Sequence, residues 1–182
     1  KNRPKFDPLI IHFSSFDKAK PYLGSIPAQI QLLIDAFTPG PITFLLPKSD
    51  LISDLVTSGL DRVAVRIPSH PMAQELLQKI DFPIAAPSAN PFGYVSPTSA
   101  KHVDAQLGDK ISLILDGGSC QVGLESTIVG MENGKVGVRR LWGAIRSQAN
   151  ASALLVWVAL AKRSRDGLAC LACKCIITTA IA

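Results

Sequence analysis

Apolar and polar positions along this chain fall into two kinds of short run. Leu9 to Phe13, Ile42 to Leu46 and Val63 to Ile67 are compact apolar runs bounded by proline, serine or charged residues, a strand signature. Pro83 to Ala86 reads as a further buried strand, and Leu113 to Leu115, Thr127 to Val129 and Val136 to Arg139 as later ones. Between them the period changes. Within Ile26 to Phe37 the residues Ile30, Leu33, Ile34 and Phe37 recur at helical spacing, and Pro39-Gly40-Pro41 stops the helix. Pro71 to Ile80 predicts a helix with proline in its first turn, where the missing N–H costs nothing. Thr98 to Leu107 predicts another, with Ser96 as N-cap and Pro97 at the first helical position. Strands alternating with helices indicate a single α/β domain, a twisted mixed parallel/antiparallel sheet with flanking helices.

Composition narrows the class. The 182 residues are 47% hydrophobic, enough to bury a core and too apolar for a disordered chain. No apolar run reaches the roughly 18 residues of a membrane-spanning helix, and no secretory leader pattern is present, so a cytoplasmic protein away from membranes is expected. The net charge of +5 points toward nucleic acid only until its distribution is read. Residues 151–182 hold a net +3 of it, leaving the body nearly balanced. Cysteine divides the same way: Cys120 is alone in the body, while Cys170, Cys173 and Cys175 lie together near the end. Those three fall one short of a usual zinc ligand set, and no metal site is expected. The chain therefore divides into a domain over 1–145 and an unassigned apolar, basic, cysteine-containing tail over 146–182.

Several residues offer chemistry. Pro87-Ser88-Ala89-Asn90, running on through Gly93 to Ser96, is a polar loop expected at the carboxyl end of a strand, where open α/β sheets bind ligands. Free N–H groups at the following helix start would favour an anion; a plain capped turn is the alternative. Lys1 and Arg3 share a face on an extended segment and suit a polyphosphate, or are two solvated charges. Arg62 and Arg66 face the same way on a strand, as an anion-binding wall or as ion partners of Asp61. His12 faces either a pocket or the core. Ser126, in Gly123-Leu124-Glu125-Ser126-Thr127, either coordinates a ligand or caps a turn.

Taken in order, these pieces resemble one family. Lys1-Asn2-Arg3-Pro4 leading to Asp7-Pro8-Leu9 and His12 resembles its K-x-R signature and following strand. Thr38-Pro39-Gly40-Pro41-Ile42-Thr43 resembles its W-P-G-P-L-T turn. Gly59-Leu60-Asp61 to Arg66, Pro87-Ser88-Ala89-Asn90 with Ser96-Pro97-Thr98, Asp116-Gly117-Gly118 and Gly123 to Thr127 complete the pattern over roughly residues 1–140. The family is that of the YrdC-like threonylcarbamoyl-AMP synthases. The resemblance implies a nucleotidyltransferase that joins threonine, bicarbonate and ATP, with Mg2+, into threonylcarbamoyl-adenylate and pyrophosphate. A partner transferase complex then modifies adenosine in tRNA, so tRNA or double-stranded RNA is an implied partner. It further implies that Lys1 and Arg3 hold the phosphates and carry the catalysis. Asp7, Arg62, Ser88, Asn90, Ser96 and Arg140 would line the nucleotide site, and His12, Arg66 and Ser126 the threonine and bicarbonate side.

The chain departs from the pattern at identifiable places. Asp7 stands where Asn is usual, Arg62 where Thr is usual, and Thr38 where Trp is usual. Arg139-Arg140-Leu141-Trp142-Gly143 is a distorted R-P-G. The family pattern begins upstream of its K-x-R lysine, so the domain's first part is expected to be missing here. The competing expectation is a non-catalytic nucleotide- or RNA-binding module of the same fold.

Overall fold

The computed structural model describes residues 1–140 except Asn2, Lys5, Phe6, Gln121, Val122, Leu124 and the side chains of Arg139 and Arg140. The proposed tail and its three cysteines, and the side chain of Arg140, lie outside the described residues.

Six strands are present: β1 (Ile10–His12), β2 (Ile42–Pro47), β3 (Arg62–Arg66), β4 (Ile84–Ala86), β5 (Thr127–Glu132) and β6 (Lys135–Arg140). The helices are α1 (Phe16–Ala19), α2 (Ala28–Phe37), α3 (Asp54–Thr57), α4 (Pro71–Lys79) and α5 (Ala100–Leu107). The strands form one sheet in the order β4-β1-β3-β2-β5-β6. β1 with β3 and β2 with β5 are parallel, and the other neighbours antiparallel, so the mixed sheet expected from the sequence is present.

The register divides the sheet into two faces, because paired residues share a face and successive residues alternate. Ile11↔Val65, Phe44↔Val65 and Phe44↔Val129 put Ile11, Val65, Phe44 and Val129 on one face, with Val63 and Leu46 beside them. These side chains join Ile30, Leu33 and Ile34 of α2 in one buried cluster. Their i, i+3, i+4 spacing is what lets one helix stripe cover the sheet. Full burial of such side chains contributes about 1.5–3 kcal/mol each. The opposite face carries Arg62, Ala64 and Arg66 of β3, His12 of β1 and Thr43 of β2.

α2 stops because Pro39 follows: the residue before a proline is driven out of helical geometry, and Thr38 is extended with its Oγ1 bonded to the Ile34 carbonyl at 2.8 Å. Gly40 then passes so close to α2 that a Cβ would sit 2.4 Å from the Phe37 carbonyl oxygen. Its N–H donates to Ile67 at 2.8 Å, tying the turn to the end of β3.

Three expectations are corrected. Leu113 to Leu115 forms no strand, and Leu113 is exposed; three apolar residues in succession carry no period, and this run finds no ladder partner. α5 starts at Ala100 with Ser99 as its cap, accepting from the His102 N–H, so neither Ser96 nor Pro97 holds the predicted position. β4 runs antiparallel to β1, with Ala86 opposite Ile10. Its carboxyl end therefore lies at the amino end of β1, and the Ser88 loop does not leave the edge where β1 and β3 end.

Candidate active site

At the carboxyl ends of β1 and β3, register pairs His12 with Arg66. β2 and β5 begin at the same edge, since Phe44 pairs with Val65 and Ile42 with Thr127. Thr43 and Ser126 thus arrive beside Arg66 on the polar face. All four side chains are buried. His12 Nδ1 donates to the Ile84 carbonyl at 3.3 Å. Burial, then the neighbouring Arg66 charge, push its pKa down to about 4, so the imidazole is neutral at physiological pH. The Arg66 Nε donates to the Gly40 carbonyl at 3.4 Å, which anchors the guanidinium to the Pro39-Gly40-Pro41 turn. A buried guanidinium beside a neutral imidazole and small hydroxyls is suited to a carboxylate or carbonate with a polar side chain.

A second group gathers near the amino end of β1. Lys1 Nζ donates to the Ser88 carbonyl, and the Lys1 carbonyl accepts from the Phe92 N–H at 3.1 Å. Partial burial, then the Arg3 charge, push the Lys1 ammonium down to about 8, with Asp7 opposing. Asn90 is buried and holds its loop by donating to the carbonyls of Pro91 and Tyr94, while its Oδ1 has no partner among the described residues. Arg3 is not a free cation: it pairs with Asp7 at 2.8 Å and donates to the Pro8 carbonyl at 2.9 Å. The Asp7 charge is thereby absorbed by Arg3 at the cost of the field Arg3 would offer a phosphate.

The loop from Ser88 to Thr98 links the two groups. Ser96 Oγ donates to the Glu125 carboxylate at 2.7 Å, next to Ser126, and the Cys120 N–H donates to the Thr98 carbonyl at 2.7 Å. Gly117, in Asp116-Gly117-Gly118, lies against His70 at the start of α4, where a Cβ would sit 2.8 Å from the ring. The Asp116 carboxylate accepts from the Gly118 N–H at 2.8 Å and closes the turn.

Arg62 stands apart. It sits at the other end of β3 from Arg66, roughly 13 Å along the strand, opposite Pro47. Its Nη1 donates to the Met131 carbonyl at 2.6 Å. The two arginines form no common anion-binding wall. Sequence reasoning missed Thr43, Glu125 and His70. Thr43 and Glu125 each stood inside a quoted motif, Thr43 in the turn after Pro41 and Glu125 beside Ser126, whereas His70 carried no such signal.

The Sua5/YciO/YrdC family model, described as "Telomere recombination", matches residues 1–141. A threonylcarbamoyl-AMP synthase of Pyrococcus abyssi is 46% identical over 129 residues, covering 71% of this chain and 38% of that protein. One of Bacillus subtilis is 43% identical over 130 residues, covering 71% and 38%. The chain thus spans about two fifths of these curated relatives. The crystal structure of P. abyssi Sua5 complexed with L-threonine superposes with a TM-score of 0.74 at 44% identity, over 77% of this chain and 41% of that one. Escherichia coli YciO shares the fold at a TM-score of 0.66 and 20% identity, over 75% and 66%. With the family model matching residues 1–141 and relatives at this level of identity, the chain belongs to the Sua5/YciO/YrdC family.

Proposed function

We propose that this chain carries the adenylate-forming site of an L-threonylcarbamoyladenylate synthase, a nucleotidyltransferase. The observation that carries the reading is the polar edge of the sheet, where His12, Arg66, Thr43 and Ser126 converge from four separated stretches. A relative of the same fold, 44% identical, has been crystallised with L-threonine. Arg66 would take the threonine carboxylate or bicarbonate, with neutral His12 and Ser126 as hydrogen-bonding partners. Lys1, Arg3, Ser88, Asn90 and Ser96 would hold ATP along the connecting loop, with Arg140 beside it. Arg62, bonded to Met131 at the far end of its strand, is the weakest member of the nucleotide set.

The chemistry fits residues that are cations and donors. The threonine amine and bicarbonate combine to a carbamate with loss of water. A carbamate oxygen then attacks the α-phosphorus of ATP, the bond to the bridging oxygen breaks, and pyrophosphate leaves with that electron pair. No side-chain nucleophile is needed: the protein aligns the reactants and offsets charge on the phosphates. Magnesium binds through carboxylates and substrate phosphates. The carboxylates described at this site, Asp7 and Glu125, are engaged by Arg3 and Ser96. They do not make a protein-held magnesium site, and the ion belongs with the triphosphate as part of the substrate.

The product would pass to a transferase complex acting on tRNA, and RNA binding belongs to the same proposal. Among the described residues no helix is long and apolar enough to cross a membrane; a cytoplasmic location is part of the proposal. Pyrophosphate release tests the reading. Release that requires both threonine and bicarbonate supports it. Release without either contradicts it, and ATP binding with no release points to a non-catalytic module.

A further inference from the structure

Thr43 and Ser126 come from strands that pair in parallel, yet their hydroxyls meet side by side. The Oγ1 to Oγ distance is 2.7 Å, with Thr43 wholly buried and Ser126 4% exposed. The register explains the meeting. Ile42 pairs with Thr127, so the residue after one and the residue before the other point to the same face. That face is the polar one. Ile42 and Phe44, on either side of Thr43, turn into the helix-covered core.

A buried threonine hydroxyl is costly unless it is hydrogen-bonded, and valine would fill the same volume at no such cost. The hydroxyl of Thr43 is bonded to Ser126. A serine hydroxyl rotates freely unless a partner fixes it, and it has one proton and two acceptor sites to share. Thr43 takes one of these and so favours one rotamer of the Ser126 hydroxyl.

We propose that Thr43 is a positioning residue for the amino-acid subsite: it locks the Ser126 hydroxyl in the rotamer that meets the substrate, without touching substrate itself. The inference rests on the reading above that Ser126 faces threonine. It deepens that reading by assigning selectivity for the amino acid, and not for ATP, to a hydroxyl beneath the pocket.

The test uses the full 182-residue chain. In Thr43→Val the threonine dissociation constant is expected to rise about fivefold to tenfold, the scale of one lost hydrogen bond. ATP affinity should stay within about twofold, and Thr43→Ser should restore threonine binding. In a Ser126→Ala background, Thr43→Val should add nothing, since its effect passes through Ser126. Equal losses for ATP and threonine, or the same loss in both backgrounds, overturn the proposal. If Thr43→Val does not fold, Thr43→Ala carries the same expectations. If the wild-type chain binds no threonine, the functional reading fails first. The crystal structure of the variant then decides the positioning claim: Ser126 Oγ in a changed rotamer upholds it, and an unchanged rotamer overturns it.

Discussion

Arg3 and Asp7 show how one substitution changes a site through its neighbour. The ion pair at 2.8 Å is partly exposed, a class that contributes roughly 0.2–1 kcal/mol. Asp7→Asn should release Arg3 toward phosphate and tighten ATP binding by up to about fivefold, read by calorimetry; unchanged or weaker binding would show that Arg3 does not meet the nucleotide. His12 gives a pH dependence with a definite sign. Its folded pKa of about 4 lies below the ordinary 6.5, so between these values the unfolded chain holds a proton that the folded chain refuses. Its contribution to stability is complete above pH 6.5 and is lost as pH falls toward 4, on the order of 3 kcal/mol. Urea unfolding at stepped pH should show a shallower acid loss in His12→Gln than in wild type; parallel curves would contradict the buried neutral imidazole. For Lys1 the charge is at stake. Phosphate affinity should fall as pH rises beyond about 8, and Lys1→Arg, which stays charged, should flatten that fall. Residue types were readable at this scale, and cations, hydroxyls and His12 stood out in the sequence. Their partners were not: that Asp7 neutralises Arg3, that Glu125 receives Ser96, and that Thr43 sits under Ser126 depend on strands and loops distant in sequence.

Among the elements, helices with a long apolar stripe and strands with clear boundaries were readable. α2 and α4 lie within two residues of their expected limits. What failed was short or directional. α1 and α3 span four residues each and were not anticipated, although Ser15 and Ser53 cap them. The direction of β4 could not be read, because a three-residue strand has no signal for which neighbour it joins. The sequence pointed to Ser96 as the cap of α5, but Ser99 fills that place and accepts from the His102 N–H. Ser99→Ala should cost about 1 kcal/mol of stability by loss of that cap, whereas Ser96→Ala should spare stability and weaken nucleotide binding. The reverse pattern in urea melts and calorimetry would restore the sequence-based assignment. The Gly40 turn is the more sensitive element. Its carbonyl receives Arg66, and a Cβ there would overlap the Phe37 carbonyl at 2.4 Å. Gly40→Ala should destabilise by roughly 1–3 kcal/mol, the range for overpacking; a change within experimental error would mean the turn relaxes freely.

Over the whole molecule, the sheet is a divided surface. One face is closed by α2 over an apolar core. The other brings His12, Arg66, Thr43 and Ser126 to a single edge, joined by the Ser88 to Thr98 loop to Lys1 and Asn90. That division follows from strand alternation and register, and it gives the domain a polar surface made of cations and hydroxyls. The central claim is that this surface joins an amino acid, bicarbonate and ATP. The most direct measurement is mass spectrometry of the nucleotide products after incubating the chain with ATP, threonine and isotopically labelled bicarbonate. The account predicts an adenylate that contains threonine and the labelled carbon, with pyrophosphate formed in equal amount. An adenylate lacking the label, or ATP cleaved to ADP and phosphate, would contradict it.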